Sequence, residues 1–511
     1  MPVNQFPYTF PISWAGPWHM VEVDWDNDGT FVGAYDDIST DVMYVEVSRG
    51  KDERLPYDRI KANTGRMALT VKNTGGKYNP ENSGGVLYGN LLPRRPARFR
   101  IEYDGVVYEQ FYGYIENIIP HPHKSEQTAR ILCVDGMDYL SRADVHVVLQ
   151  EDQYSGTLVG LLLDSAGWSA TKRSIDTGIS LFSIWYGYGK GLDEIRKLED
   201  SDLGFFYIDE SGNAVWEDRH YRLVTTRCNT SQATFTDSMV DITYMEGARS
   251  IFNEVRCPVT PHTLESAAEI WEMVDVAGSN ELVGVPFLEI GQSKTFWAEF
   301  TNFAKNIVDP MVAYNGANFN YRANAAADNS GADATGDVTC TITPFAKSAK
   351  VVVTNNGAIS CYITSLNIRG QVYTDGRTVS AKAEDSTSQS IYQQRTMVLE
   401  GEYFDDMETA ESMCEYTLSL RKDPQPEMTL TMMNSDATLE EEMLKRKISD
   451  RITVVHTDLG VNDDFYINKT HSRWNANATR MTTTWTVARA DDEQYWTLGT
   501  SALGSTTRLA F

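Results

Sequence analysis

No C-x-x-C pair joins any of the six cysteines, Cys133, Cys228, Cys257, Cys340, Cys361 and Cys414, which stand far apart in a chain of 511 residues. Such spacing excludes a zinc-ribbon or thioredoxin-like framework and reads as buried, unpaired thiols of a protein made in a reducing cytosol. The signatures H-E-x-x-H, G-x-S-x-G and G-x-x-x-x-G-K-[ST] are missing too, so zincin, nucleophile-elbow and P-loop chemistry have no carrier. The longest apolar run, near 158–163, falls far short of the ~20 residues that a membrane-spanning helix needs, so no stable membrane insertion is expected. No cation precedes Arg49, which leaves no charged leader region and predicts no signal peptide. Positive charge is scarce throughout: 45 Lys plus Arg face 71 Asp plus Glu, a formal net charge of −26. A chain this acidic does not coat nucleic acid or anionic membrane.

What is present is globular and long. Hydrophobic residues make up 41% and charged residues 23%, and the length calls for roughly three or four domains. Strand signals fill the first 140 residues, among them Val42–Val47, Arg66–Val71 and the strictly alternating Arg98–Tyr103. Asp104-Gly105 supplies a tight turn out of the last of these. Helices are predicted at Ser155–Ala166, with Ser155 as N-cap, and at Gly191–Asp200, followed by a hairpin over 204–218: a small α+β module. Short strands around Asn355-Asn-Gly357 suit an inserted β-sandwich. The C-terminal part has a helix near 405–420, a second helix opened by a Thr438-x-x-Glu441 capping box, and three closing strands.

Few residues converge on chemistry. Asp24-Trp-Asp26-Asn-Asp28-Gly29 matches the opening of a calcium loop, with Asp24, Asp26 and Asp28 as candidate ligands, although Tyr35 stands where the bidentate glutamate belongs. The competing reading is a turn made by Asp28-Gly29. His121 and His123 read as a solvated loop, and Gly187-Tyr-Gly-Lys-Gly191 as a flexible entry turn rather than a phosphate loop. Arg94, Arg95, Arg98 and Arg100 read as an edge cluster or a contact to an acidic neighbouring subunit. No nucleophile, base and orienting group can be named together, so an enzyme is not expected.

The motifs acquire meaning through their order: the Asp24–Gly29 loop, Ser48-Arg-Gly50, Gly65-Arg-Met-Ala-Leu69, Leu87-Tyr-Gly-Asn-Leu-Leu-Pro93, Tyr112-Gly-Tyr-Ile-Glu116, Asp135-Gly-Met-Asp-Tyr-Leu140, Ala166-Gly-Trp168, Phe206–Asn213, Trp216-Glu-Asp-Arg219, Trp496-Thr-Leu-Gly499 and Leu503–Ala510. In that order the chain resembles the minor tail proteins of long-tailed bacteriophages, of the baseplate-hub or tail-tip hub type. The resemblance implies a mainly β fold with α+β parts. Its expected divisions are an N-terminal β-barrel-like hub domain (1–145), an α+β module (146–225), a β-rich connecting segment (226–285), an inserted β-sandwich (286–400) and a C-terminal helix with a second β-barrel-like segment (401–511). It implies a structural role at the virion tail tip, as a homotrimer joining a distal tail or tube ring protein to spike or fibre proteins, with the tape-measure protein and genomic DNA in transit through the lumen. No catalytic residue carries over, and no cofactor beyond the calcium candidate. A second hypothesis is a host-glycan adhesin acting through the insertion, with Trp297, Phe300, Phe319 and Tyr321 as stacking rings.

Overall fold

The computed structural model describes residues 18–51, 61–123, 126–236, 239–273, 285–300, 304–305, 311–315, 319–477 and 479–490, so the motifs at 496–499 and 503–510 lie outside the described residues. Six strands open it: β1 (Trp18–Val23), β2 (Val42–Lys51), β3 (Ala62–Lys72), β4 (Pro96–Tyr103), β5 (Val106–Pro122) and β6 (Gln127–Val134). Alternation in β4 turns Ala97, Phe99 and Ile101 into the core and leaves Arg98 and Arg100 on the other face. Asp104 and Gly105 take φ of 48° and 75°, the left-handed pair that a two-residue hairpin requires.

After the short helix α1 (Met137–Leu140), the module comprises β7 (Asp144–Tyr154), α2 (Ser155–Ser165), β8 (Arg173–Ile175), β9 (Leu181–Lys190), α3 (Gly191–Asp202), β10 (Phe205–Ile208) and β11 (Ala214–Glu217). Two expectations change here. Tyr154, not Ser155, occupies the N-cap of α2, because the Ser155 hydroxyl donates instead to Asp202 at 3.0 Å. The glycine-rich run at 187–190 is no flexible turn but the end of β9, paired with β7, and Gly187 leaves room for Leu162 and Trp185.

Two short helices, α4 (Tyr221–Val224) and α5 (Thr226–Asn229), lead to β12 (Thr234–Phe235), β13 (Asp241–Glu246) and β14 (Glu254–Val259). There follow β15 (His262–Leu264), β16 (Ala268–Glu272), β17 (Phe287–Leu288), β18 (Ser293–Glu299), β19 (Ala304–Lys305), β20 (Tyr321–Asn324), β21 (Val338–Pro344), β22 (Ser348–Asn355) and β23 (Cys361–Asp375). Strand β23 is the spine, pairing in turn with β15, β16, β17, β19 and β20, while β18, β22 and β21 form a second sheet over the same core. The chain enters this unit at Pro261 and leaves at Gly376, whose N–H donates to the Pro261 carbonyl at 2.7 Å.

Beyond it, β24 (Val379–Glu384), α6 (Ser386–Tyr392) and β25 (Thr396–Val398) precede α7 (Met407–Arg421), which buries Ala410, Met413 and Cys414 against β14 and β24. The chain ends in β26 (Pro426–Met433), α8 (Ala437–Lys445), β27 (Arg451–His456), β28 (Val461–Asn475) and β29 (Arg480–Arg489). Asp436 caps α8 by accepting the Leu439 N–H at 2.9 Å, taking the position expected for Thr438. A carboxylate two residues earlier fits better, since its charge also complements the positive helix end.

The fold is mainly β with α+β parts. Its frame is one sheet of twelve described strands, running β1-β4-β5-β6-β3-β2-β28-β29-β26-β13 with β12 and β27 alongside. The seam between chain ends is β2 against β28, antiparallel from Tyr44–Asn475 to Gly50–Lys469. A single core runs beneath both halves, from Val45 and Phe99 to Trp474 and Trp485. All six cysteines are buried and none forms a disulfide, as their spacing implies.

Candidate functional site

The calcium candidate lies in the loop after β1. Asp24 is fully buried while Asp26 and Asp28 are exposed, and one ligand oxygen from each falls within 4.8 Å of the others. Much of that geometry is the loop's own closure: the Asp24 carboxylate accepts the N–H groups of Asp28 (3.1 Å) and Gly29 (2.9 Å), and Asn27 and Gly29 sit at φ of 61° and 86°. Asp36, just past the place of the missing glutamate, accepts the Gly33 N–H at 2.8 Å. Burial pushes its carboxyl above the usual range, and the charges of Asp26 and Asp24 push the same way. The loop therefore offers convergent oxygens of the kind a hard cation takes, while already holding itself shut.

The arginine cluster finds its acids inside the chain. Arg98 and Arg100 on β4 both bind Glu22 of β1, at 2.8 and 2.6 Å, and Arg94 reaches Asp138 at 2.7 Å. Arg98 and Arg100 lace the edge strand β1 to its neighbour β4, the first of the two roles expected for the cluster. His121 and His123 sit exposed at the end of β5, and no metal-ligand group includes them among the described residues. Of the four aromatic residues offered for glycan stacking, Phe300 and Tyr321 are core residues, 2% and 7% exposed. Phe319 is half-buried and packs edge-on against Tyr314. Only Trp297 is open, at 57% exposure.

Sequence reasoning missed the densest constellation, a buried polar junction where module and both β blocks meet. Arg227 of α5 forks between Glu217 of β11 (3.0 Å) and Asp450 beside β27 (2.9 Å), and donates to the Ile448 carbonyl at 2.8 Å. Tyr207 donates to Glu217 at 2.9 Å, and the Ser449 hydroxyl donates to the other Glu217 oxygen. Arg222 binds Ser449 at 3.0 Å while its guanidinium lies over Tyr466. Next to it, Arg49 of β2 meets Glu210 at 3.2 Å, and Lys447 joins the same carboxylate. Burial opposes the Glu210 charge, but the two cations outweigh it and hold its pKa below the ordinary value. Arg49, Glu210 and Lys447 come from the first block, the module and the last block, so one ion cluster ties all three together. Three of the ordered motifs, Ser48-Arg-Gly50, Phe206–Asn213 and Trp216-Glu-Asp-Arg219, contribute Arg49, Tyr207, Glu210 and Glu217 to it.

Elsewhere burial wins. Asp135, which accepts the N–H groups of Gly65 (2.7 Å) and Met137 (2.9 Å), has its pKa pushed up to about 7 by desolvation. Asp202 is also pushed up to about 7 by desolvation, despite Arg219 at 3.5 Å. The folded state thus holds these protons more tightly than the unfolded chain does. Stability contributed by each group is fully present below the ordinary carboxylate value of about 4 and is lost as pH rises through about 7. Asp135→Asn is expected to remove part of that decline, read as a shallower fall in the urea midpoint between pH 5 and 8.

No protein-family model and no curated protein matches this chain. Among solved structures, it is similar to the 43 kDa tail protein of prophage MuSo2 from Shewanella oneidensis, at 12% identity over 93% of this chain and 98% of that one, with a TM-score of 0.48. It is similar to the tail protein from Neisseria meningitidis MC58, at 9% identity over 93% and 96% of the two chains, TM-score 0.46. Its structural neighbours include phage tail proteins. The sequence motifs had suggested the same kind of protein. A further neighbour is the E. coli c3393 protein, a component of the type VI secretion system, at 8% identity over 88% and 74%, TM-score 0.38. Among the described residues no helix is long and apolar enough to cross a membrane.

Proposed function

We propose that this chain is a structural component of a bacteriophage tail tip of the baseplate-hub type, acting as a homotrimer around a hollow axis. It joins the ring at the end of the tail tube to a spike or fibres, and the tape measure and the DNA pass through it. The observation that carries the reading is the seam. Because β2 and β28 pair edge to edge, the two β-rich blocks form one body whose hydrogen-bond ladder runs through both, and the module and insertion hang from it. A subunit held between a tube and a spike needs this kind of stiffness, since a sheet distributes a pull over many parallel bonds. The net charge of −26 supports transit, because like charges do not trap passing DNA by counterion release.

Two measurements test it together. Native mass spectrometry of the purified chain is expected to give a trimer, alone or with the ring protein. Gold label on the chain is expected at the distal end of negatively stained tails, and label along fibres or shaft would overturn the reading. A second reading, a tail-tip adhesin binding host glycan through the inserted β-unit, is favoured by one specific observation, the open ring of Trp297.

A further inference from the structure

Trp297 does not stand alone on the surface. Its ring stacks on Phe345, with centroids 5.7 Å apart and planes at 27°. Phe345 meets His146 edge-on at 6.3 Å, and His146 meets Tyr188 at 5.3 Å. Trp297 and Phe345 belong to the insertion, on β18 and the β21–β22 turn; His146 and Tyr188 face each other on β7 and β9 of the module. His146 and Tyr188 are exposed, the latter at 42%. Two residues along each strand, on the same outward face, Asp144 and Lys190 pair at 2.6 Å with side chains 67% and 44% exposed, and Lys190 also donates to the Arg142 carbonyl at 3.1 Å. The β7–β9 ribbon buries Val145 and Val147 in the module, so this opposite face is free to carry side chains that serve another purpose.

We propose that this aromatic row, with the Asp144–Lys190 pair at its end, is a saccharide-binding ledge that crosses the border between insertion and module. The inference rests on the second reading above and relocates its site. The chemistry is selective. Flat rings meet the C–H faces of a pyranose, whereas an aliphatic patch offers no such match. The adjacent carboxylate and ammonium supply an acceptor and donors for sugar hydroxyls. Stacked nucleic-acid bases would use the same rings, but the acidity of the chain opposes a polyphosphate. A row built from two units also makes the grip depend on their relative placement.

The test uses the full-length chain on a printed array of bacterial surface saccharides, followed by titration with whichever saccharide binds. Wild type is expected to retain at least one saccharide class, and Trp297→Ala and Tyr188→Ala each to bind it about tenfold more weakly. Both side chains are exposed, so thermal midpoints are expected to stay near wild type. If Trp297→Ala proves unstable, Tyr188→Ala decides. No saccharide retained, binding unchanged in a folded variant, or retention of oligothymidylate in place of sugar would each overturn the ledge. Gold labelling of tails carrying Trp297→Ala separates the two readings: a distal label with a failed array sinks the ledge alone, and a misplaced label sinks the tail-tip role.

Discussion

Replacing Arg227 by alanine is expected to destabilise the fold by about 3–5 kcal/mol, the range for removing one partner from a buried ion cluster. The magnitude follows from what is left behind. Glu217 and Asp450 have side chains only 1% and 6% exposed, and each loses a charged hydrogen bond of about 3 Å. Neither carboxylate can turn to water, and the groups that remain, Tyr207, Ser449 and the more distant Arg222 (3.9 Å) on one side and Arg446 and the Lys447 N–H on the other, already have their positions in the cluster. Arg227→Lys is expected to recover only part of the loss, since an ammonium cannot span both acids with a planar fork. The urea midpoint followed by circular dichroism reads both, and a loss under about 1 kcal/mol in the alanine variant would mean that the junction adds little.

Gly50→Val is expected to do comparable damage by another route. Gly50 adopts φ of 102°, and a Cβ there would sit 2.2 Å from the Asn468 carbonyl oxygen and 2.9 Å from the Lys469 Cα. Both obstacles are backbone of β28, so no side-chain rotation relieves them. The left-handed conformation alone costs a branched residue about 1–3 kcal/mol, and the clash adds separation of the seam itself. The expected signature is specific: besides a lower midpoint, limited proteolysis should release the last block from the first. Intact seam protection would show that the ladder tolerates the intrusion.

Local patterns were legible in the sequence, and distant partnerships were not. The alternation of Arg98–Tyr103 marked β4 because charged residues cannot share its buried face, and Asp104-Gly105 marked the hairpin because few pairs accept two positive φ values. The helix at 191 stood out by the spacing of Leu192, Ile195 and Leu198, and the one at 155 by its boundary signals, although Tyr154 rather than Ser155 takes the N-cap. The seam left no trace, since nothing in Val42–Lys51 says which strand, hundreds of positions away, will complete its edge. The Arg227 junction was hidden for the same reason: Asp450 lies 223 positions further on. In β18, Phe296 and Trp297 are neighbours, so periodicity cannot say which turns inward. The sheet buries Ala298 and leaves Trp297 out, against the usual expectation that the larger apolar group fills the core. Of the four rings offered for stacking, Trp297 is therefore the one left open, while Phe300 and Tyr321 fill the core.

The seam has a temporal consequence. Glu46 and Arg473, which face each other across it, are 427 positions apart. At the ribosome's pace of about 5–20 residues per second, β2 emerges roughly 20–85 s before its mate exists. During that interval the nascent first block carries an open strand edge with Val45 and Val47 beside it, a template for pairing with other nascent chains. Yield in the host is therefore expected to depend on whatever shelters that edge while translation continues.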